Sequence, residues 1–230
     1  MATAMAEQRL HLFQLVSPAL PVGAFSYSEG LEVLVQSQSI TDAESLGAWL
    51  RAELNRGAVA LETAALGPLR QAWLGWQRGE GAAALLDLDS WLLAQREAPE
   101  MRAQQRQMGQ SLLQLLADLQ RPAAQAPAPL PRVAWPAAFA WAGHGLGIGS
   151  PALEEAYLYG WVANQVSAAL RLIPLGPTEG QRLQLALAGL LAERAAALTA
   201  TQPETLWNGG WGAALAQLSH AELYSRLFRS

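Results

Sequence analysis

Residues 150–173 read SPALEEAYLYGWVANQVSAALRLI, and this stretch decides the fold class. Ser150 followed by Pro151 is a strong helix start, a hydroxyl cap with proline at the first helical position. Glu154 and Glu155 then suit the positive end of the helix dipole. Leu153, Tyr157, Trp161, Val166 and Leu170 make the segment apolar on most sides, which predicts a helix running through the middle of the fold to about Ile173. Pro174 and Gly176 end it. A polar stripe of Asn164, Ser167 and Arg171 shares one face by its spacing of three and four. An arginine there either reaches solvent near the helix end or meets a carboxylate.

Outward from this helix the pattern repeats. Thr178 and Gln181 form a capping box, and Leu183, Leu187, Leu190 and Leu191 follow at helical spacing. Upstream, Thr41 to Glu44 reads TDAE, a second capping box ahead of Leu46, Trp49, Leu50 and Leu54. A run from Ala58 to about Gln77 buries Leu61, Ala65, Leu69, Trp73 and Trp76, with Pro68 expected to bend or divide it. A leucine-rich helix to about Arg96 follows GEGAAA, and Glu100 to Leu119 carries Met101, Met108, Leu112, Leu115, Leu116 and Leu119 as an apolar stripe. Residues 121–136, RPAAQAPAPLPRVAWP, hold five prolines and predict a long loop between two helical halves. No stretch shows sustained period-two alternation. The expectation is an all-α, single-domain bundle of about ten helices spanning residues 1–230.

Composition narrows the function. The 230 residues are 51% hydrophobic and 15% charged, which leaves apolar surface for a partner. There is no cysteine, so no disulfide, thiolate nucleophile or cysteine metal site exists, as suits a cytoplasmic protein. There is no lysine either: all 15 basic residues are arginine. A Walker A loop and Schiff-base chemistry are excluded. A net charge of −4 without a basic run argues against nucleic acid. No apolar run approaches the roughly 20 residues of a membrane span, and the first residues lack the pattern of a signal peptide.

The chemistry-bearing residues are sparse. His11, His144 and His220 share no metal-ligand spacing, and AGHGLGIGS at 142–150 fits a helix end and turn better than a phosphate loop. Near the start, SPALPVGAFSYSEGLE at 17–32 places Ser26 and Ser28 beside Glu29 and Glu32. A hydrolase would need a base and an oxyanion hole there. The better reading has Ser26 capping a helix with Glu29 three residues on, leaving Glu32 facing outward. At the other end, AELYSRLFRS combines Tyr224, Leu227 and Phe228 with Arg226 and Arg229, residues of the type that anchor interfaces.

Three separated segments, LFQLVSPALPVGAFSYSEGLE (12–32), LYGWVANQVSAALRLIPLGPTEGQ (158–181) and LYSRLFRS (223–230), with WLLAQREAPEMR (91–102) as a weaker fourth, resemble the urease accessory protein UreF family. The resemblance implies an all-helical, non-enzymatic chaperone that dimerises and binds the accessory protein UreD, also called UreH. It further implies that the pair recruits the GTPase UreG and supports GTP-dependent nickel insertion into apo-urease. On that basis Phe25, Glu32 and Arg171 fall on the GTPase side. Tyr224, Arg226, Leu227, Phe228, Arg229 and Ser230, within a C-terminal tail at 221–230, fall on the UreD side. Glu29 stands where relatives carry His or Gln, which argues against a metal ligand. The expectation is no catalytic residue, no resident metal and no cofactor, nickel being handled transiently by the complex. Two alternatives are a helical hydrolase using Ser26 and a helical scaffold unrelated to urease.

Overall fold

Residues 58–66 read AVALETAAL, and every one of them is buried. They open α4 (Ala58–Gln77), a helix with no solvent face along its first half, so other helices must enclose it. The computed structural model describes residues 2–121 and 131–230. In chain order its other α-helices are α1 (Ala2–Leu15), α2 (Leu31–Gln36), α3 (Ala43–Arg56), α5 (Ala83–Ala94), α6 (Pro99–Asp118), α7 (Trp135–Gly145), α8 (Ala152–Leu172), α9 (Pro177–Thr199) and α10 (Trp211–Ser219). Among the described residues there is no strand, and α3, α5, α7, α8 and α9 all pack on α4. The all-α expectation therefore holds.

The core is built on indole rings. Trp73 of α4 stacks on Trp141 of α7 with centroids 4.6 Å apart, and Trp76 meets both edge-on. The buried Trp73 Nε1 donates to the Ala137 carbonyl at 2.7 Å, so no polar atom of that ring is orphaned. Helix α8 shares the centre with α4: it buries Leu153, Leu158, Val162, Val166 and Ala169 against α4 and α9 and shows Arg171 to solvent.

Several local expectations shift. The first capping box is made one residue later, with Asp42 Oδ1 accepting from Ser45 N–H at 2.9 Å and Ser45 Oγ accepting from Asp42 N–H. The second is replaced by Gly176 before Pro177, with Glu179 reaching back to the Gly176 N–H. Ser150 does not cap α8; its hydroxyl donates to Glu154 at 2.7 Å. Pro68 leaves α4 undivided, since the surrounding helices bury the stretch whose one hydrogen bond it removes. Most of the proline-rich loop, residues 122–130, lies outside the described residues. Its stated end at 136 is too late, because α7 begins at Trp135 with Pro136 in the first turn, where no N–H is needed.

The chain leaves that loop against α6. Gly109 touches the backbone there: a Cβ would stand 2.5 Å from the Val133 carbonyl oxygen and 2.6 Å from the Ala134 carbonyl carbon. Buried Asp89 of α5 fixes the same spot by accepting from the Ala134 N–H at 2.9 Å. Gly109→Ala should force α6 and α7 apart at a cost of about 1–3 kcal/mol. A thermal melt should then show the midpoint falling by about 2–4 °C per kcal/mol; an unchanged midpoint would contradict so close an approach.

Candidate functional site

The SPALPVGAFSYSEGLE segment is a shaped loop. Gly23 has φ +76°, Ala24 to Ser26 form one 3-10 turn, and Glu29 and Gly30 follow at φ +54° and +87°. Two successive left-handed residues reverse the chain before α2. Gly30 is required twice over, by its φ and because a Cβ there would lie 3.0 Å from the Gln217 backbone nitrogen of α10. Ser26 is therefore not a helix cap, contrary to the sequence reading; α2 begins at Leu31 behind Gly30.

Into this loop docks the segment 221–230. The Ser230 carbonyl accepts from Ser28 N–H, Glu29 N–H and the Ser28 hydroxyl at 2.8, 3.1 and 2.6 Å. Arg229 N–H donates to the Ser26 carbonyl at 2.9 Å. Ser230 Oγ donates to Gln104 Oε1 at 2.6 Å, and the Phe228 ring lies 4.3 Å beneath the Arg171 guanidinium. Arg171 also donates to the Phe25 carbonyl at 3.1 Å, and Asn164 to that of Tyr27. The polar stripe on α8 thus receives both the loop and the tail.

The predicted site residues divide by exposure. Phe25 is 70% exposed, Tyr224 fully exposed and Leu227 half exposed, with Arg171, Arg226 and Arg229 around them. None of these three arginines makes an ion pair among the described residues. Phe228 and Ser230 are buried and act as anchors. Glu32 corrects the sequence reading: it is 3% exposed and faces inward, accepting from Leu227 N–H, Phe228 N–H and His220. The Ser26 hydroxyl has no histidine or carboxylate bonded to it among the described residues, and the Ser28 hydroxyl is committed to Ser230.

Beneath the tail lies a polar network absent from the sequence reading. Buried Arg96 donates twice to Glu62 Oε1, at 2.6 and 2.9 Å, and stands 4.0 Å from Glu29. Tyr157 donates to Glu62 at 2.8 Å, while Trp161 and Gln104 donate to Glu29 at 3.1 and 3.0 Å. Burial works against the Arg96 charge, but Glu62 and Glu29 more than offset it and hold the guanidinium above its ordinary value. Burial pushes the Glu62 carboxyl up, with Arg96 opposing. Glu29 and Glu62 border a cavity of about 190 Å³ walled by Leu15, Met108, Phe139 and Trp161. Their oxygens are already taken, and no group of three metal-ligating side chains occurs among the described residues. Arg96 sits inside the WLLAQREAPEMR segment, which was the signal available; Glu62, Tyr157 and Gln104 carried none.

The comparisons with known proteins bear on this arrangement. A family model described as UreF matches residues 40–188. The chain belongs to the UreF family. It is 40% identical over 226 residues to the urease accessory protein UreF of Alkalilimnicola ehrlichii, covering 98% of this chain and 96% of that protein. The UreF of Microcystis aeruginosa is 42% identical over 225 residues, covering 97% and 98%, and that of Synechocystis sp. 40% over 232 residues. Residues 40–188 contain Glu62, Arg96, Gln104, Tyr157 and Trp161, so all of the buried network but Glu29 falls within the part that the UreF model matches.

Glu53 of α3 gives this UreF-family chain a distinctive pH response. Its buried carboxylate faces Arg96 and the bare Gly57 and Gly210, and makes no side-chain hydrogen bond among the described residues. Burial raises its pKa from 4.5 to about 7, Arg96 opposing and Glu29 adding. A raised acid favours folding while protonated. Its contribution is full below about 4.5, falls as pH rises to about 7, and is lost above that. Glu53→Gln should therefore gain stability over the parent across that window, by on the order of 2–3 kcal/mol at pH 8. Melts at pH 4.5 and 8 measure the difference; equal gains at both would contradict a Glu53 carboxyl raised to about 7.

Proposed function

We propose that this protein is an adaptor in urease maturation: it joins a UreD-type accessory protein to a UreG-type GTPase and supports GTP-dependent nickel delivery to apo-urease. The observation that carries the reading is the docked tail. A segment with exposed Tyr224, Leu227, Arg226 and Arg229 lies beside Phe25 and Arg171, on a chain matched nearly end to end by urease accessory proteins. Exposed aromatic and arginine side chains on a fixed backbone favour protein recognition over catalysis. The site of action in this reading is the cytoplasm, and no helix among the described residues is long and apolar enough to cross a membrane.

The division of labour follows the exposure. Residues 221–230 meet the UreD-type protein, while Phe25 and Arg171 offer the GTPase an aromatic edge and a cation, so a carboxylate on that partner suits Arg171. A chain without lysine supplies no Walker A loop, so the nucleotide chemistry belongs to the GTPase. The working unit in the complex is a homodimer, with no cofactor of its own. A helical hydrolase at Ser26 is disfavoured by the absence of a paired base.

Activation of apo-urease with nickel, GTP and the other accessory proteins should depend on adding this chain; equal activation without it would overturn the reading. Removing residues 221–230 should abolish co-purification with the UreD-type protein. Arg171→Glu should weaken GTPase recruitment by about tenfold or more, as expected for reversing an interfacial charge, and by more than it weakens that co-purification, which Arg171 touches only through its stack on Phe228. Unchanged recruitment would remove Arg171 from that contact.

A further inference from the structure

Between two buried anchors, the chain from 221 to 227 runs over the surface. His220 is 1% exposed at one end and Phe228 5% at the other, while Tyr224 stands fully in solvent. Both anchors converge on Glu32: its Oε1 accepts from Leu227 N–H at 2.7 Å, and its Oε2 accepts from Phe228 N–H at 3.1 Å and from His220 Nε2 at 3.2 Å. His220 Nδ1 is buried with no hydrogen-bond partner among the described residues. An imidazole kept for packing alone would be replaced at no loss by leucine; this one spends an unsatisfied nitrogen to aim the other at Glu32. The acceptor at Glu32 also places the proton on Nε2.

We propose that Glu32 and His220 are a positioning pair that latches the 221–227 strap onto the fold, so that Glu32 governs partner recognition through the strap and not by touching a partner. A carboxylate 3% exposed, with three donors already on it, has no face to offer while the strap is docked. What the latch presents is Tyr224 and Leu227 flanked by Arg226. The fitting partner surface is an apolar pocket with a carboxylate rim. The identity of that partner rests on the proposed function; the latch itself does not.

The test is amide hydrogen exchange on the isolated full chain, read at residues 227–230 and, as control, in α4. Glu32→Gln turns one acceptor into a donor facing Phe228 N–H and His220, and His220→Leu removes the donor. Each should speed exchange at 227–230 by at least about tenfold, the scale of a hydrogen bond to a charged group. The double variant should be no faster than the faster single, because the pair acts as one unit. His220→Gln, which keeps a donor near the position of Nε2, should restore most of the protection. Exchange in α4 should not change. Unaltered exchange at 227–230 in Glu32→Gln, multiplying single effects, or equal acceleration in α4 would each overturn the latch. Faster exchange at 227–230 with undiminished capture of the UreD-type protein would leave the latch standing and sink the assignment of that partner to the tail. Lost capture with the strap still protected would place Glu32 in direct contact and overturn the latch.

Discussion

A buried guanidinium must be neutralised where it lies, and Arg96 obliges the structure to gather around it. Its partner Glu62 comes from α4, and Glu29 comes from the loop before α2. Tyr157 and Trp161 come from α8, and Gln104 from α6. An isolated charge in such an interior would cost several kcal/mol, so these elements hold their relative positions or the network fails. Glu62 and Glu29 also bring four carboxyl oxygens to one guanidinium, more acceptors than Arg96 alone engages. That is why the surrounding donors, from an indole, a phenol and an amide, are all aimed inward.

The same network reaches the surface through the tail. Gln104 donates to Glu29 with its nitrogen and accepts from Ser230 with its oxygen, so one side chain ties the interior to the docked segment. Gln217 of α10 adds a bond to the Glu29 carbonyl. Tail docking is therefore the outermost layer of a hydrogen-bonded system that begins at Arg96. Arg171 closes it from α8, bonded to the Phe25 carbonyl and stacked on Phe228. The displayed side chains of the tail are thus placed largely by groups buried beneath them.

Much of this was legible in advance, for reasons that can be named. Helical periodicity in α3, α6 and α9 survives because each has one long apolar face, and in α8 because a polar stripe marks an otherwise apolar helix. Helices α1, α7 and α10 carried weaker signals: α7 is alanine-rich and almost wholly buried, so it lacks a polar face to set a period. The capping residues moved by one or two positions because several Ser, Thr, Asp and Gly candidates stand together at each start. The Ser26 cap failed for a different reason. The left-handed pair Glu29 and Gly30 belongs to a turn set by contact with α10, which is 188 residues away when measured from Glu29 to Gln217.

The sequence by itself determined the all-α class and the family, and it singled out the two terminal segments that the fold brings together. These depend on periodicity, composition and local motifs, which are properties of neighbouring residues. Only the tertiary structure decided which way Glu32 points, that Phe228 and Ser230 are anchors while Tyr224 and Leu227 are displayed, and that Glu62 and Arg96 form a pair. Those facts depend on groups brought together from distant parts of the chain. Whether a carboxylate greets solvent or a backbone amide is settled by what folds over it, and no local pattern encodes that.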